Sequence, residues 1–222
     1  MTNDNSSFPA SSVTQLKSEW LQLLTVLKVE PNLGEKIFAD LIKAYSSPRR
    51  HYHNLDHLQH LLNSLEEVKE HIHCFPALQL CAWFHDYIYE PQELDNEVQS
   101  AVYAERVLSK LRVEFDTVRL VQQIILSTRK HEPLLEETDN LFFLDVDLVI
   151  LGSATDQYLA YSQAIRQEFG KVSDRDYQTG RTKVLTQFLD RDRIYYTDYF
   201  GDRLESQARG NLKAEINTLT KI

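Results

Sequence analysis

The chain has 222 residues, of which 42% are hydrophobic, and its formal net charge is −9 at pH 7. This length and composition allow one sizeable hydrophobic core, and no linker rich in Gly, Pro or Ser divides the chain. The acidic balance argues against a nucleic-acid-binding surface, which needs a basic footprint, and no apolar run of about eighteen residues is present to span a membrane.

Residues 1–12 are polar and rich in Ser and Asn, without the basic start and apolar stretch of a signal peptide, and they are predicted to form a flexible tail. Beyond them, apolar residues recur at helical spacing, and Gly and Pro fall at the breaks. Helices are predicted over residues 16–27, 33–42, 53–72, 76–88, 95–111, 116–129, 139–152, 155–169, 173–189 and 203–219. With no persistent period-two alternation and no repeat, the sequence predicts an all-α protein with one domain over residues 13–222, located in the cytoplasm.

Histidine and aspartate occur within apolar segments of the predicted helices. On a continuous helix His53, His57 and His60 would share one face, and only some of them can be metal ligands. His85 and Asp86 are adjacent in an aromatic and apolar run. An isolated buried carboxylate costs several kcal/mol, so Asp86 needs a cation or a dense set of hydrogen-bond donors.

A second acidic segment carries Asp145 and Asp147, two residues apart in another hydrophobic run. Residues at this spacing point to nearly opposite sides of a helix, so one of the two is predicted to reach a metal and the other to cap a helix or form a pair. Two cysteines, Cys74 and Cys81, lack the CxxC spacing of a zinc or redox site. A set of imidazoles and carboxylates without thiolates is typical of a hydrolytic metal site on helices.

The order of His57, then the pair His85-Asp86, then a later aspartate resembles the H…HD…D pattern of the HD superfamily of metal-dependent phosphohydrolases. The match extends to Arg-His-Tyr-His-Asn-x-x-His (50–57), Trp-Phe-His-Asp (83–86), Asp-Asn-Glu-x-x-Ser-Ala (95–101) and Leu-Asp-x-Asp-Leu-x-Ile-Leu-Gly (144–152). These segments are similar to a group of uncharacterised bacterial proteins described as predicted HD phosphohydrolases. The resemblance runs from about Trp20 to the end of the chain and implies a single-domain, HD-type helical bundle.

By position, the resemblance implies that His57, His85, Asp86 and Asp147 bind a divalent metal and that Asp86 is also part of the catalytic centre. Asp147 is favoured because Asp147-Leu148 resembles the Asp-Leu pair that carries the last ligand of cyclic-nucleotide phosphodiesterases, and Asp145 is the alternative. Two imidazoles and two carboxylates leave room for water and a substrate oxygen, which suits Mn²⁺, Fe²⁺, Co²⁺, Ni²⁺ or Mg²⁺ better than tetrahedral Zn²⁺. A further similarity, to cyclic-nucleotide phosphodiesterases, implies that His53 is the general acid.

Further residues are candidates for contacting the ligands or the substrate: Asp145, His131, Glu97, Arg181 and Arg209. His131 follows a predicted helix end, where it could bind a second metal or a phosphate or simply interact with the helix dipole. Glu97 could instead belong to a helix-capping set. Arginine forks recognise phosphate, although most surface arginines pair with neighbouring acids.

The expected activity is hydrolysis of a nucleotide or another small phosphate ester by metal-activated water. The expected partner is therefore a phosphorylated small molecule, with no nucleic-acid polymer and no membrane, and formation of a homo-oligomer is left open. Two alternatives remain. The same site could act on a non-phosphate substrate, by hydration, hydrolysis or di-iron oxygenation, or the protein could be a regulatory module that binds a metabolite.

Overall fold

The computed structural model describes residues 10–221, which form helices and connecting turns without any β-strand. The prediction of an all-α protein is confirmed. The α-helices of this range are α1 (Ala10–Val26), α2 (Pro31–Tyr45), α3 (Leu55–Glu67), α4 (Phe75–Phe84), α5 (Asn96–Lys110), α6 (Phe115–Thr128), α7 (Thr138–Asp147), α8 (Thr155–Glu168), α9 (Asp174–Leu189) and α10 (Asp198–Leu219). Short 3₁₀ turns lie at Lys69–His71 and Val149–Gly152. None of these helices has the length and apolar character that crossing a membrane requires.

The predicted tail falls mainly outside the described residues, because residues 1–9 are not among them. Helix α1 begins at Ala10, so residues 10–12, which were assigned to the tail, are helical.

Helix α4 lies at the centre of the fold. It packs against α1, α3, α5, α6 and α7, and nearly all of its side chains from Ala77 to Phe84 are buried. A helix that is apolar all round must be enclosed by others, and the sequence of α4 has this character. Trp83 makes an edge-to-face contact with Trp20 of α1, with ring centroids 5.2 Å apart. His85 and Asp86, which follow Phe84, therefore lie close to the middle of the bundle.

The prediction of a helix through residue 88 is wrong over its last four residues, because α4 ends at Phe84. His85 is the C-terminal cap and Asp86 lies in the following turn. The guanidinium group of Arg50 donates hydrogen bonds to the carbonyl oxygens of Asp86 (2.7 Å) and Tyr87 (2.8 Å). These bonds to a distant side chain fix the turn that follows α4.

His53 does not share a helical face with His57 and His60, because α3 begins at Leu55. Asn54 is the N-cap, and its side-chain oxygen accepts hydrogen bonds from the backbone N–H groups of Asp56 (2.9 Å) and His57 (3.3 Å). His53 therefore lies in the turn before the helix. This correction matters for the site, since the turn allows His53 to face a different neighbour.

The C-terminal helices cover the turn Val149–Gly152, which α10 and α8 both contact. Helix α7 ends at Asp147, before this turn and not at residue 152 as predicted. Helix α10 begins at Asp198, earlier than the predicted residue 203. A Cβ atom at Gly152 would lie 2.6 Å from Cβ of Leu204, so the close approach of α10 requires glycine at this position.

Candidate metal centre

Three buried or nearly buried side chains converge where α3, α4 and α7 meet. His57 is in the first turn of α3, His85 caps α4, and Asp147 is the last residue of α7. One donor atom from each lies within 4.8 Å of the others. Oδ1 of Asp147 is 3.6 Å from Nε2 of His57 and 3.6 Å from Nε2 of His85. Ligand bonds of about 2.0–2.2 Å place donors on one ion at most about 4.4 Å apart, so the group could hold a metal ion with small adjustments.

Asp86 adjoins this group without belonging to its compact core. Its Oδ2 atom is 3.0 Å from Nε2 of His85 and 3.6 Å from Nε2 of His57. The four residues predicted as ligands are thus assembled at one place, with Asp86 and Asp147 both facing the two imidazoles.

The imidazole nitrogens in this group are unsatisfied. Among the described residues, neither ring nitrogen of His57 nor Nε2 of His85 has a hydrogen-bond partner, and all three atoms are buried. The other nitrogen of His85, Nδ1, donates to the carbonyl oxygen of Ala82 at 3.2 Å, which orients Nε2 toward the carboxylates. Buried polar atoms are rarely left unpaired, and a divalent cation would satisfy these. The residues present therefore fit a metal ion.

The electrostatics favour ionised carboxylates in this place. Burial alone would raise the pKa of Asp147, but the hydrogen bond from His131 and the neighbouring His85 imidazole outweigh it and hold that pKa well below its usual value. Burial alone would also raise the pKa of Asp86, but the charge of His85 outweighs burial and lowers that pKa. Burial lowers the pKa of His57 to about 3, so its ring is neutral at physiological pH. Ionised carboxylates and neutral imidazole are the forms that bind metals. Burial alone would lower the pKa of His85, but Asp86 and Asp147 outweigh it and raise that pKa, so metal binding at His85 would compete with a proton.

His131 reaches the centre through Asp147, since its Nε2 atom is 3.1 Å from Oδ2 of that residue. Its backbone has φ = 48°, in the left-handed region that non-glycine residues rarely adopt. Two side chains hold this conformation, because Arg191 Nη1 and the hydroxyl of Tyr196 each donate to the carbonyl oxygen of His131 at 2.8 Å. Lys28 after α1 and Arg112 after α5 also have positive φ, so at His131 this conformation marks the end of α6.

His53 is bonded to Glu168, the last residue of α8, with 2.8 Å between Nδ1 and Oε2. The Glu168 carboxylate is fully enclosed and also accepts from the backbone N–H groups of Tyr52 (2.8 Å) and His53 (3.0 Å) and from the hydroxyl of Tyr89 (2.7 Å). Burial alone would lower the pKa of His53, but the charges of Asp86 and Glu168 outweigh it and raise that pKa above its usual value. Sequence reasoning missed Glu168, which has no local pattern to mark it.

A cavity of about 540 Å³ opens beside these groups. His53, His85, Asp86, His131 and Asp147 line one part of it. Aliphatic and aromatic side chains of α8, α9 and the segment after α7 line most of the remainder, together with Glu97, Asp176 and Arg181. The candidate metal centre is thus accessible to a small molecule, and the His53 imidazole faces the same space.

Asp145 has a different role from Asp147. Its buried carboxylate accepts hydrogen bonds from the backbone N–H groups of Tyr196 and Thr197, both 2.7 Å long, and from the Thr197 hydroxyl at 2.6 Å. Burial raises the pKa of Asp145 to about 6 although these donors favour the ionised form. Asp145 thus anchors the start of α10 and is not part of the compact ligand group, as the two-residue spacing predicted.

Glu97, Arg181 and Arg209 are the remaining residues predicted to contact the ligands or the substrate, and two of the three line the cavity. Glu97 and Arg181 both line it. Arg181 is bonded to Glu215 through Nε (2.9 Å) and Nη2 (3.2 Å). Arg209 lies elsewhere, pairing with Glu205 at 2.7 Å and donating to the carbonyl oxygens of Leu189, Arg191 and Asp192 at the end of α9. Its assignment as a substrate contact is therefore corrected to a structural one.

Comparison with protein-family models, with curated proteins and with solved structures finds no match for this chain. The chain is thus described by its own geometry, as an all-α protein with a candidate metal-binding group at the wall of a cavity.

Proposed function

We propose that this protein is a metal-dependent phosphohydrolase of the HD type, acting on a nucleotide or another small phosphate ester. One observation carries the proposal. Buried imidazole nitrogens of His57 and His85 that lack hydrogen-bond partners face the carboxylates of Asp86 and Asp147 at the wall of an accessible cavity. Burying these imidazoles and carboxylates in a bundle core costs free energy unless a cation binds to them.

In this proposal His57, His85, Asp86 and Asp147 hold the metal. Two nitrogen and two carboxylate donors suit Mn²⁺, Fe²⁺, Co²⁺, Ni²⁺ or Mg²⁺. When bound, such a cation would lower the pKa of a water molecule and offset charge that develops on the phosphoryl oxygens. His131 adjoins Asp147 and is available to orient that carboxylate or to contact a substrate phosphate.

His53 supplies the proton for the leaving oxygen. When the ring is protonated, Nδ1–H donates to Glu168, so Nε2–H is left for a substrate in the cavity. Glu168 orients the ring and raises its pKa, in the manner of a carboxylate behind a catalytic histidine. His53 is outside the ligand group, which allows it to act without binding the metal.

A second candidate function is hydrolysis or hydration of a non-phosphate bond at the same centre. It is favoured by the small number of cations around the cavity. Among the described residues, Arg181 is the sole Lys or Arg in the lining, and Glu215 already neutralises it. A phosphate would therefore depend on the metal and the imidazoles for its positive surroundings.

The test combines metal analysis with a screen of phosphate monoesters, diesters and nucleotides, using protein loaded separately with each of the five metals. His53→Ala should lower turnover by about 10² to 10⁴ while the bound metal is retained, because a general acid contributes a factor of this size. His60→Ala is the matched control, since His60 is exposed on α3 and does not line the cavity. It should keep both metal and turnover.

Two results would overturn the proposal. Absence of metal-dependent phosphate release across the whole screen would favour the non-phosphate function. Loss of metal from His53→Ala would show that His53 is a ligand and not a proton donor.

A further inference from the structure

We infer that the substrate carries a single phosphate group attached to a bulky apolar group, and that nucleoside di- and triphosphates are poor substrates. This inference rests on the proposed phosphohydrolase function and names its substrate class. It is drawn from the walls of the cavity away from the metal ligands.

Most of the cavity wall outside the proposed ligands is aliphatic or aromatic. It is lined by Leu148, Leu151, Ile165, Phe169, Val184 and Phe188, among others. Polar groups of Tyr161, Tyr177 and Arg181 also line the cavity, but aliphatic and aromatic side chains make up most of its wall. An aliphatic or aromatic group of a substrate would displace water from this wall and bury apolar surface against it, which favours binding.

Two of the apolar lining residues remain strongly exposed. Leu94 is 83% exposed and Val184 is 42% exposed, although both line the cavity. Exposed apolar side chains are common when scattered singly, but two beside one ligand-sized cavity add to its apolar surface. They extend the apolar wall toward solvent, where a bound substrate would cover them.

The charges around the cavity disfavour a polyanion. Asp86 and Asp147 would offset the two charges of a divalent cation, Glu168 offsets a protonated His53, and Glu215 offsets Arg181. Glu97 and Asp176 then add negative charge to the lining. One phosphate can lie against the metal, but the further phosphates of a nucleoside triphosphate would find no unpaired Lys or Arg among the described lining residues.

The cavity volume of about 540 Å³ is suited to a small organic molecule. Ligand cavities of about 300–1,000 Å³ enclose most of a small organic ligand. The expected substrate is therefore a compact phosphate ester whose apolar group fills the space between α8, α9 and the segment that follows α7.

The experiment compares a series of n-alkyl phosphates, from ethyl to hexyl, with ATP on the Mn²⁺-loaded protein. Each fully buried methylene should raise kcat/KM roughly fourfold, so the four added carbons should give up to about two hundredfold. Binding of ethylphosphonate and hexylphosphonate, which cannot be hydrolysed, is measured by calorimetry and should show the same order. ATP should be cleaved more slowly than hexyl phosphate.

Val184→Asp places a charge on the apolar wall at an exposed position, so folding should be preserved. It should reduce the preference for hexyl over ethyl by at least tenfold. Leu159→Asp is the matched control, because Leu159 is 52% exposed on α8 and does not line the cavity. The control should leave the chain-length preference unchanged.

The outcomes separate the two proposals. If phosphate esters are hydrolysed but chain length has no effect, or ATP is preferred, the substrate inference is wrong and the phosphohydrolase function stands. If no ester is hydrolysed while hexylphosphonate still binds more tightly than ethylphosphonate, the cavity preference stands and the phosphohydrolase function fails. An unchanged preference in Val184→Asp would also overturn the inference.

Discussion

Arg49 and Arg50 are adjacent arginines that the structure places in contrasting surroundings. Arg50 is 9% exposed, and its guanidinium group donates to the carbonyl oxygens of His53 (3.2 Å), Asp86 (2.7 Å) and Tyr87 (2.8 Å). Arg49 has 63% of its side chain exposed and pairs with the half-exposed Glu90. Replacing each by Met, which keeps an unbranched apolar stem, should therefore have very different effects.

The magnitude for Arg50→Met follows from its bonds. Hydrogen bonds that involve a charged group contribute about 1.5–3 kcal/mol each, and the two short ones to Asp86 and Tyr87 give about 3–6 kcal/mol. In a chain of this size 1 kcal/mol shifts Tm by about 2–4 °C, so a loss near 4 kcal/mol lowers Tm by about 8–16 °C. Arg49→Met should cost about 0–1 kcal/mol, as exposed ion pairs do.

The assay is urea unfolding of both variants in metal-free buffer, followed by measurement of metal affinity. Arg50→Met should also weaken metal binding, because the bonds from Arg50 fix the turn that carries Asp86. Equal stability of the two variants, within about 1 kcal/mol, would refute the view that Arg50 holds this turn. Normal metal affinity in a destabilised Arg50→Met would show that the turn is held by other contacts.

Three further predictions concern individual side chains. Asp147→Asn should lose the metal, whereas Asp145→Asn should keep the metal and change the stability of the fold. Metal content after dialysis checks both variants, and the reverse pattern would overturn the ligand assignment. Glu168→Gln removes a charge that raises the pKa of His53. Turnover falls at alkaline pH where His53 loses its proton, and in this variant the fall should begin at a lower pH than in the wild type. An unshifted pH profile would contradict the role of Glu168. Tyr177→Phe should leave stability unchanged or raise it by about 1–2 kcal/mol in urea unfolding, because the buried Tyr177 hydroxyl has no partner among the described residues; a clear loss of stability would reveal a bond to that hydroxyl.

Short motifs were enough to propose the residues of the candidate centre. The two-residue spacing indicated that only one of Asp145 and Asp147 would reach a metal, and the resemblance to cyclic-nucleotide phosphodiesterases favoured Asp147, which is the one in the compact group. His85 and Asp86 stood out as polar residues after an apolar run, and this run is the central helix α4. Patterns of this kind need no knowledge of distant neighbours.

The features that could not be predicted depend on contacts between distant parts of the chain. Arg50 holds the turn after α4 by bonding to the carbonyl oxygens of residues that lie 36 and 37 positions further along the chain. Glu168 is 115 residues from His53, and nothing in its immediate sequence distinguishes it from a surface acid. Arg209 was proposed for the cavity from residue type alone, and only the fold shows that it bonds to the end of α9.

In the proposed function, metal binding and substrate selection depend on different parts of the chain. The four proposed ligands come from α3, the end of α4 and α7, whereas the apolar wall comes largely from α8, α9 and the segment between α7 and α8. Glu168 joins the two parts, because it belongs to α8 and bonds to His53 beside the centre. Changes on the cavity side of α9 should therefore alter which substrate binds without removing the metal. Displacement of α8 would instead affect proton transfer as well, since the orientation of His53 depends on Glu168.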